Sequence, residues 1–122
     1  MGKKNELNGF LGPGTHYEGK LIFEGTFRID GEFEGEIESS GILIVGDKAR
    51  LKGTINVEEI FVSGEIVGTV HAAKKATFYK TAILKGELAT TLLVVEEGAK
   101  FLAKVKMLDQ ELEESSKKTS TE

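Results

Sequence analysis

Apolar residues fall on every second position over much of this chain, and the alternation restarts at a nearly fixed interval. Between residues 27 and 37, Phe27, Ile29, Phe33 and Ile37 alternate with Arg28, Asp30, Glu32, Glu34 and Glu36. A side-chain period of two predicts strands with one dry face and one wet face. The repeating unit is a small residue, an apolar residue two positions on, usually a glycine two further, and a second apolar residue two beyond that. It occurs six times: Thr15-x-Tyr17-x-Gly19-x-Leu21, Gly31-x-Phe33-x-Gly35-x-Ile37, Ala49-x-Leu51-x-Gly53-x-Ile55, Gly64-x-Ile66-x-Gly68-x-Val70, Ala82-x-Leu84-x-Gly86-x-Leu88 and Ala99-x-Phe101-x-Ala103-x-Val105. Successive copies start 16, 18, 15, 18 and 17 residues apart.

A period of this size built from strand-like pieces predicts stacked β-coils. Further apolar pairs follow the repeat unit: Leu43 and Val45, Ile60 and Val62, Leu93 and Val95. Each coil then supplies three short strands joined by bends and pairs in parallel with the next, so like residues stack on like. Six coils at about 4.8 Å make a rod roughly 29 Å long. Gly31, Gly46, Gly64 and Gly98 are expected at the bends with positive φ, which costs glycine little. The competing arrangement, a meander of hairpins, needs two-residue Asn-Gly or Asp-Gly turns between strands. Only Asn8-Gly9 and Asp30-Gly31 offer them, and the second sits inside the repeat.

Three segments emerge. Residues 1–14 form an N-terminal arm, residues 15–107 the repeat block, and residues 108–122 a polar tail. The tail, LDQELEESSKKTSTE, carries too little apolar surface to offset ordering and is expected to be disordered.

Composition narrows the function. Of 122 residues none is cysteine, which excludes disulfides and thiolate metal sites and fits a reducing cytosol. No apolar run approaches the roughly 18 residues of a membrane-spanning helix. A net charge of −4 argues against general nucleic-acid binding. The charge is split: residues 15–65 hold 11 acidic and 5 basic side chains, and residues 66–107 hold 3 acidic and 7 basic. A rod stacked in order would carry an axial dipole.

At this point the residues resemble a known family. The stretch from Gly14 to Ile55, with FEGTFRIDGEFEGEI at 23–37 and the later LVVEEGAKF at 93–101, is similar to the bactofilins across essentially the whole repeat block. The resemblance implies an all-β fold, a single three-sided right-handed parallel β-helix. It also implies a bacterial cytoskeletal scaffold that polymerises without nucleotide into filaments lacking overall direction. Such filaments lie on the inner face of the cytoplasmic membrane and organise envelope or peptidoglycan-modifying partners in cell shape. Two places depart from the repeat: Tyr79-Lys80-Thr81 replaces a turn glycine, and Ala103 replaces the central glycine of the last copy.

Candidate chemistry is sparse. His16 and His71 lie several coils apart, too distant to share one metal. Asp30, Glu32, Glu34, Glu36 and Glu38 form an outward stripe, whereas a glycosidase sets two carboxyls across a cleft. Gly12-Pro13-Gly14-Thr15 lacks the lysine of a phosphate-binding loop. No catalytic, cofactor or metal residue is assigned. The alternative function is an acyltransferase-like enzyme on a left-handed β-helix, which would show a hexapeptide rhythm. An ice-binding solenoid would need a continuous threonine ladder, which Thr54, Thr69 and Thr90 do not make.

The residues expected to carry function are therefore those at the open ends. Phe101, Leu102, Val105 and Met107 make the last coil apolar, and Tyr17 and Leu21 occupy the first. They are assigned to a polymerisation interface with other copies of the chain. Leu7, Phe10 and Leu11 beside Lys3 and Lys4 are assigned to membrane contact, with coverage of the first coil as the competing role for Phe10 and Leu11.

Overall fold

The computed structural model describes residues 7–108, and all of its regular structure is strand. Lys3, Lys4 and the polar tail from residue 109 lie outside the described residues. The strands are β1 (Leu7–Leu11), β2 (His16–Phe23), β3 (Thr26–Ile29), β4 (Glu32–Ser39), β5 (Ile42–Val45), β6 (Arg50–Val62), β7 (Glu65–Phe78), β8 (Ile83–Val95) and β9 (Lys100–Met107). Every pairing is parallel, and each copy of the repeat lies in register on the next: Gly19 beside Gly35, Gly35 beside Gly53, Gly53 beside Gly68 and Gly68 beside Gly86. The result is a β-solenoid of about six turns, as the periodicity predicts.

The coil has three sides because the eight-residue strand bends at its central glycine. At Gly19, Gly35, Gly53, Gly68 and Gly86, φ lies between 132° and 142°, a region that L side chains rarely adopt. The coils also approach too closely there for a side chain. A Cβ on Gly35, Gly53, Gly68 or Gly86 would stand 1.9 Å from the carbonyl oxygen of the glycine one coil earlier. Residues before this glycine form the first side, those after it the second, and the four-residue stretches such as Ile42–Val45 the third.

This geometry corrects the expectation for the bend glycines. Of Gly31, Gly46, Gly64 and Gly98, only Gly98 has positive φ, at 108°. Gly31 and Gly64 are required by crowding between stacked turns instead. A Cβ on Gly64 would meet the Gly46 carbonyl oxygen at 2.3 Å, and one on Gly31 the Gly12 carbonyl oxygen at 2.6 Å.

The uneven period also has a cause. The first and second sides keep eight residues and the third keeps four, while the corners vary. The corner between second and third sides takes one residue at Glu58 or Thr91 and two at Ala73-Lys74. The closing turn is tight at Ser63-Gly64 but runs over four residues at Gly46–Ala49 and Tyr79–Ala82. Those longer turns close through Ala49 N–H donating to Gly46 O at 3.0 Å and Ala82 N–H to Tyr79 O at 2.9 Å. Tyr79-Lys80-Thr81 therefore needs no glycine. Its Lys80 N–H donates to Glu96 Oε1 at 2.8 Å and its Thr81 hydroxyl to Ser63 O at 2.7 Å.

The solenoid begins earlier than the repeat spacing indicates. Strand β1 pairs with β3, placing Leu7–Leu11 on the third side below the first full coil. The spacing records only the first two sides, so the arm assigned to residues 1–14 contains a strand of the solenoid. Apolar residues from all three sides meet along the axis, and Ile29, Leu43, Ile60, Ile66 and Leu84 are fully buried. At about 1.5–3 kcal/mol for each large apolar side chain, this axial column is the main stabilising element.

Candidate assembly surfaces: the two ends of the solenoid

Each inward column of the core runs the length of the rod and ends in water. On the first side the column is Tyr17, Phe33, Leu51, Ile66, Leu84, Phe101. Its inner members are 0–3% exposed, but Tyr17 is 36% exposed and Phe101 half-buried. On the second side the column is Leu21, Ile37, Ile55, Val70, Leu88, Val105. Leu88 is 1% exposed and Val105, one coil on, 41%. The residues at the ends are core residues with no coil beyond them among the described residues.

At the carboxyl end, β9 leaves one edge of its backbone unpaired among the described strands. Phe101 packs edge-on against Phe78, ring centroids 4.7 Å apart, while Val105 and Met107 stay open to solvent. Val95 on the third side joins them at 45% exposure; the sequence assignment missed it because it lies in the preceding coil. Leu102 does not belong to this surface. It alternates out of the core, pairs in register with Lys85 and is 70% exposed on the flank of the rod.

At the amino end, Tyr17 stacks on Phe33 with ring centroids 5.3 Å apart and planes within 8° of parallel. Leu21, Phe23 and Leu11 pack against the core from the same end. Leu11 is thereby removed from the membrane group. It pairs in register with Ile29 and points inward, whereas Leu7 and Phe10 are more than half exposed. The two ends are stepped. Strand β1 carries the third side one strand beyond β2, and β9 carries the first two sides one strand beyond the end of β8.

The flanks of these ends differ in charge. At the amino end His16 sits between Glu18 Oε2 at 2.9 Å and Glu32 Oε1 at 3.1 Å. Those hydrogen bonds, to Glu18 first and Glu32 second, raise the imidazole above its ordinary value. Donor atoms of His16, Glu18 and Glu34 come within 4.8 Å of one another, but all three residues are exposed, and two of the three are carboxylates common on wet surfaces. Arg28 grips Asp30 with Nε–Oδ2 at 2.6 Å, and this pairing raises the guanidinium further. At the carboxyl end the outward positions of β9 are Lys100, Leu102, Lys104 and Lys106. His16 and His71 stand on different sides of the rod, in the registers of Glu32 and Asn56.

No solved structure matches this chain. It is 28% identical over 107 residues to bactofilin BacP of Myxococcus xanthus, an alignment covering 88% of this chain and 45% of the relative. The chain thus spans less than half the length of that curated relative. The sequence model of the bactofilins, described as polymer-forming cytoskeletal, matches residues 9–106, from the first strand of the third side almost to the end of β9. That match covers most of the chain and nearly all of the solenoid, and so the chain belongs to the bactofilin family of polymer-forming cytoskeletal proteins.

Proposed function

We propose that this protein is a non-enzymatic cytoskeletal scaffold whose subunits join through both ends of the solenoid, without nucleotide, into filaments on the inner face of the cytoplasmic membrane. The observation carrying this reading is that each core column is buried to a few per cent inside the rod and opens to solvent at Tyr17 and at Val105. Open strand edges with an apolar cross-section favour association with another such end. Nucleotide independence is supported by the glycines, which are committed to corners and stacked turns rather than to a phosphate cradle.

For polarity, the family resemblance supports like end meeting like end. The charges face outward along roughly 29 Å, mostly farther from a junction than a Debye length of about 8 Å. A specific observation favours the other arrangement. In a head-to-tail stack the β1 of one copy would fill the step left beside β9 of another, continuing both ladders. Negative-stain microscopy of the purified chain without nucleotide tests assembly, with filaments expected and their appearance only after adding ATP, GTP or a divalent ion counting against it. A filament reconstruction with every subunit pointing one way would replace the like-to-like junction by the stepped one.

Membrane contact is assigned to Leu7 and Phe10, both exposed, together with Lys3 and Lys4. Side chains worth about 1.5–3 kcal/mol each when fully inserted bind weakly as monomers, and a filament multiplies them by avidity. Co-sedimentation with anionic vesicles should fall for a chain lacking residues 1–6 and carrying Phe10→Ser. Deleting residues 1–12 would be a poor test, because it removes β1. Equal pelleting of both chains would dispose of the membrane role. Envelope-modifying partners would then be organised along the filament, a part of the reading that rests on the resemblance alone.

A further inference from the structure

The outward positions of the first two sides are mainly charged and polar, whereas those of the third are mainly apolar around one pair of charges. Its outward columns read Ile42, Glu59, Lys75, Leu92 and Ile44, Phe61, Thr77, Val94. Alternation fixes their direction. Leu43, Val45, Ile60 and Val62 are buried in the core, so Ile42, Ile44 and Phe61 between them face outward. Leu92 and Val94 are 53% and 42% exposed. Ile44 and Phe61 also floor a notch of about 660 Å³, where the tight Ser63-Gly64 turn lies between the longer turns at Gly46–Ala49 and Tyr79–Ala82.

We propose that this third side is a lateral contact for a second copy of the same chain lying antiparallel. Symmetry makes the face complementary to itself. A two-fold axis lying across the face between the third-side parts of β6 and β7 sets each column against itself, reversed along the rod. Glu59 then faces the second copy's Lys75, and Lys75 faces its Glu59. Ile42 and Ile44 face Leu92 and Val94, twice over. Every apolar residue meets an apolar residue or Thr77, and both charges meet their opposites. The same reversal sets the acidic half of one rod beside the basic half of the other. Leu7, Phe10 and Arg28 fall outside the overlap, which leaves the amino end free for other contacts.

Size decides when the contact operates. Four overlapping strands of four residues cover a flat patch of about 13 Å by about 19 Å, on the order of 250 Å². A stable dimer buries about 800 Å² on each partner. Single chains therefore pair weakly, and rows of chains held end to end pair strongly. The contact is separate from the ends, so it alters filament width and leaves length unchanged.

Mixing complementary charge variants tests it. Glu59→Lys alone and Lys75→Glu alone should each give single filaments at low salt where the unaltered chain gives paired ones. An equimolar mixture should restore pairing, because lysines at 59 and 75 on one copy face glutamates on the other. Within one chain Glu59 and Lys75 are neighbours in register, so a double variant would mend that contact too, and only mixing isolates the contact between copies. Ile44→Glu should abolish pairing at every salt concentration while keeping filament length. Paired filaments in all three variants, or no recovery on mixing, would overturn the proposal. So would filaments that bind anionic vesicles through Ile44, shown by loss of pelleting in Ile44→Glu with width unchanged. Should the chain form no filaments, the proposed function fails by itself. Sedimentation velocity at high concentration, with a weak dimer in the mixture and monomer in each variant alone, then decides the lateral contact.

Discussion

Leu88 and Val105 are the same residue position in consecutive coils, and they live in different solvents. Both point to the axis on the second side and pair in register. Leu88 is 1% exposed and Val105 is 41%. Both are aliphatic, and the difference that matters is the coil that stacks on Leu88. The first side repeats the lesson, with Leu84 fully buried and Phe101, its register partner, half-buried. In a solenoid, then, an end rung is built as core, and under the proposed assembly it becomes an interface by taking its next neighbour from another molecule.

A charge placed at each member of this pair separates the two environments by the widest margin. Leu88→Arg buries an unpaired guanidinium in the axial column. An uncompensated buried charge costs several kcal/mol, a large share of the stability of a domain this small. The expected outcome is loss of the β signal in circular dichroism. Val105→Arg leaves the charge at the open end, so the β signal should persist while filaments shorten or vanish. Phe101→Arg is a less clean probe, because the Phe101 ring packs on Phe78 inside the last closed coil. Normal filaments from Val105→Arg would remove the carboxyl end from the assembly contact.

The glycine ladder sharpens the same contrast with a smaller change. At Gly68 a methyl group would stand 1.9 Å from the Gly53 carbonyl oxygen, with φ at 142°. Neither backbone can yield without breaking the ladder, so Gly68→Ala is expected to cost at least about 4 kcal/mol. At Gly19 φ is 140°, but the nearest atom to a Cβ is on the Tyr17 ring at 3.5 Å, because among the described residues no strand precedes β2 on that side. Gly19→Ala then carries backbone strain alone, about 1–3 kcal/mol. Thermal unfolding of the two variants measures the difference. Equal destabilisation would show that strain, not the approach of the coils, demands glycine along the ladder.

These particulars show what was readable in the chain. The alternation and the interval between copies gave the parallel coils, because a period of two and a period of a whole coil are both one-dimensional. Which glycine needs positive φ was not readable, since Gly53 and Gly64 are both crowded by a carbonyl oxygen of the preceding coil and only Gly53 also takes positive φ, at 134°. The apolar third side was hidden for a related reason. The run Ile42-Leu43-Ile44-Val45 reads as a strand buried on both faces, and only the register shows that Ile42 and Ile44 stand in the outward columns of Glu59 and Phe61. Leu102 erred in the opposite direction: its place in the last coil suggested the polymerisation interface, but its parity turns it to the flank of the rod. For the ends, the columns Tyr17 to Phe101 and Leu21 to Val105 were legible in the repeat itself, because the first and last copies of a ladder are necessarily its open rungs.

The smallest effect expected from the ends is a proton. His16 lies on the first full coil, held by Glu18 and Glu32, and its pKa stands above the ordinary 6.5. A group whose pKa is raised by folding stabilises the folded state fully below its unfolded value, and that stabilisation is lost as pH rises through the folded value. The contribution is therefore complete below about pH 6.5 and gone above the raised midpoint. Solvent screens the site, so the change in melting temperature should be near the limit of detection, and the sensitive readout is the imidazole resonance in a Val105→Arg chain kept monomeric. Its midpoint should lie above 6.5 and fall back in Glu18→Gln, with a smaller return in Glu32→Gln. A His16 midpoint at or below 6.5 would mean that the edge of the first coil opens in solution. The open amino end would then be a frayed strand instead of the preformed rung that assembly through that end requires.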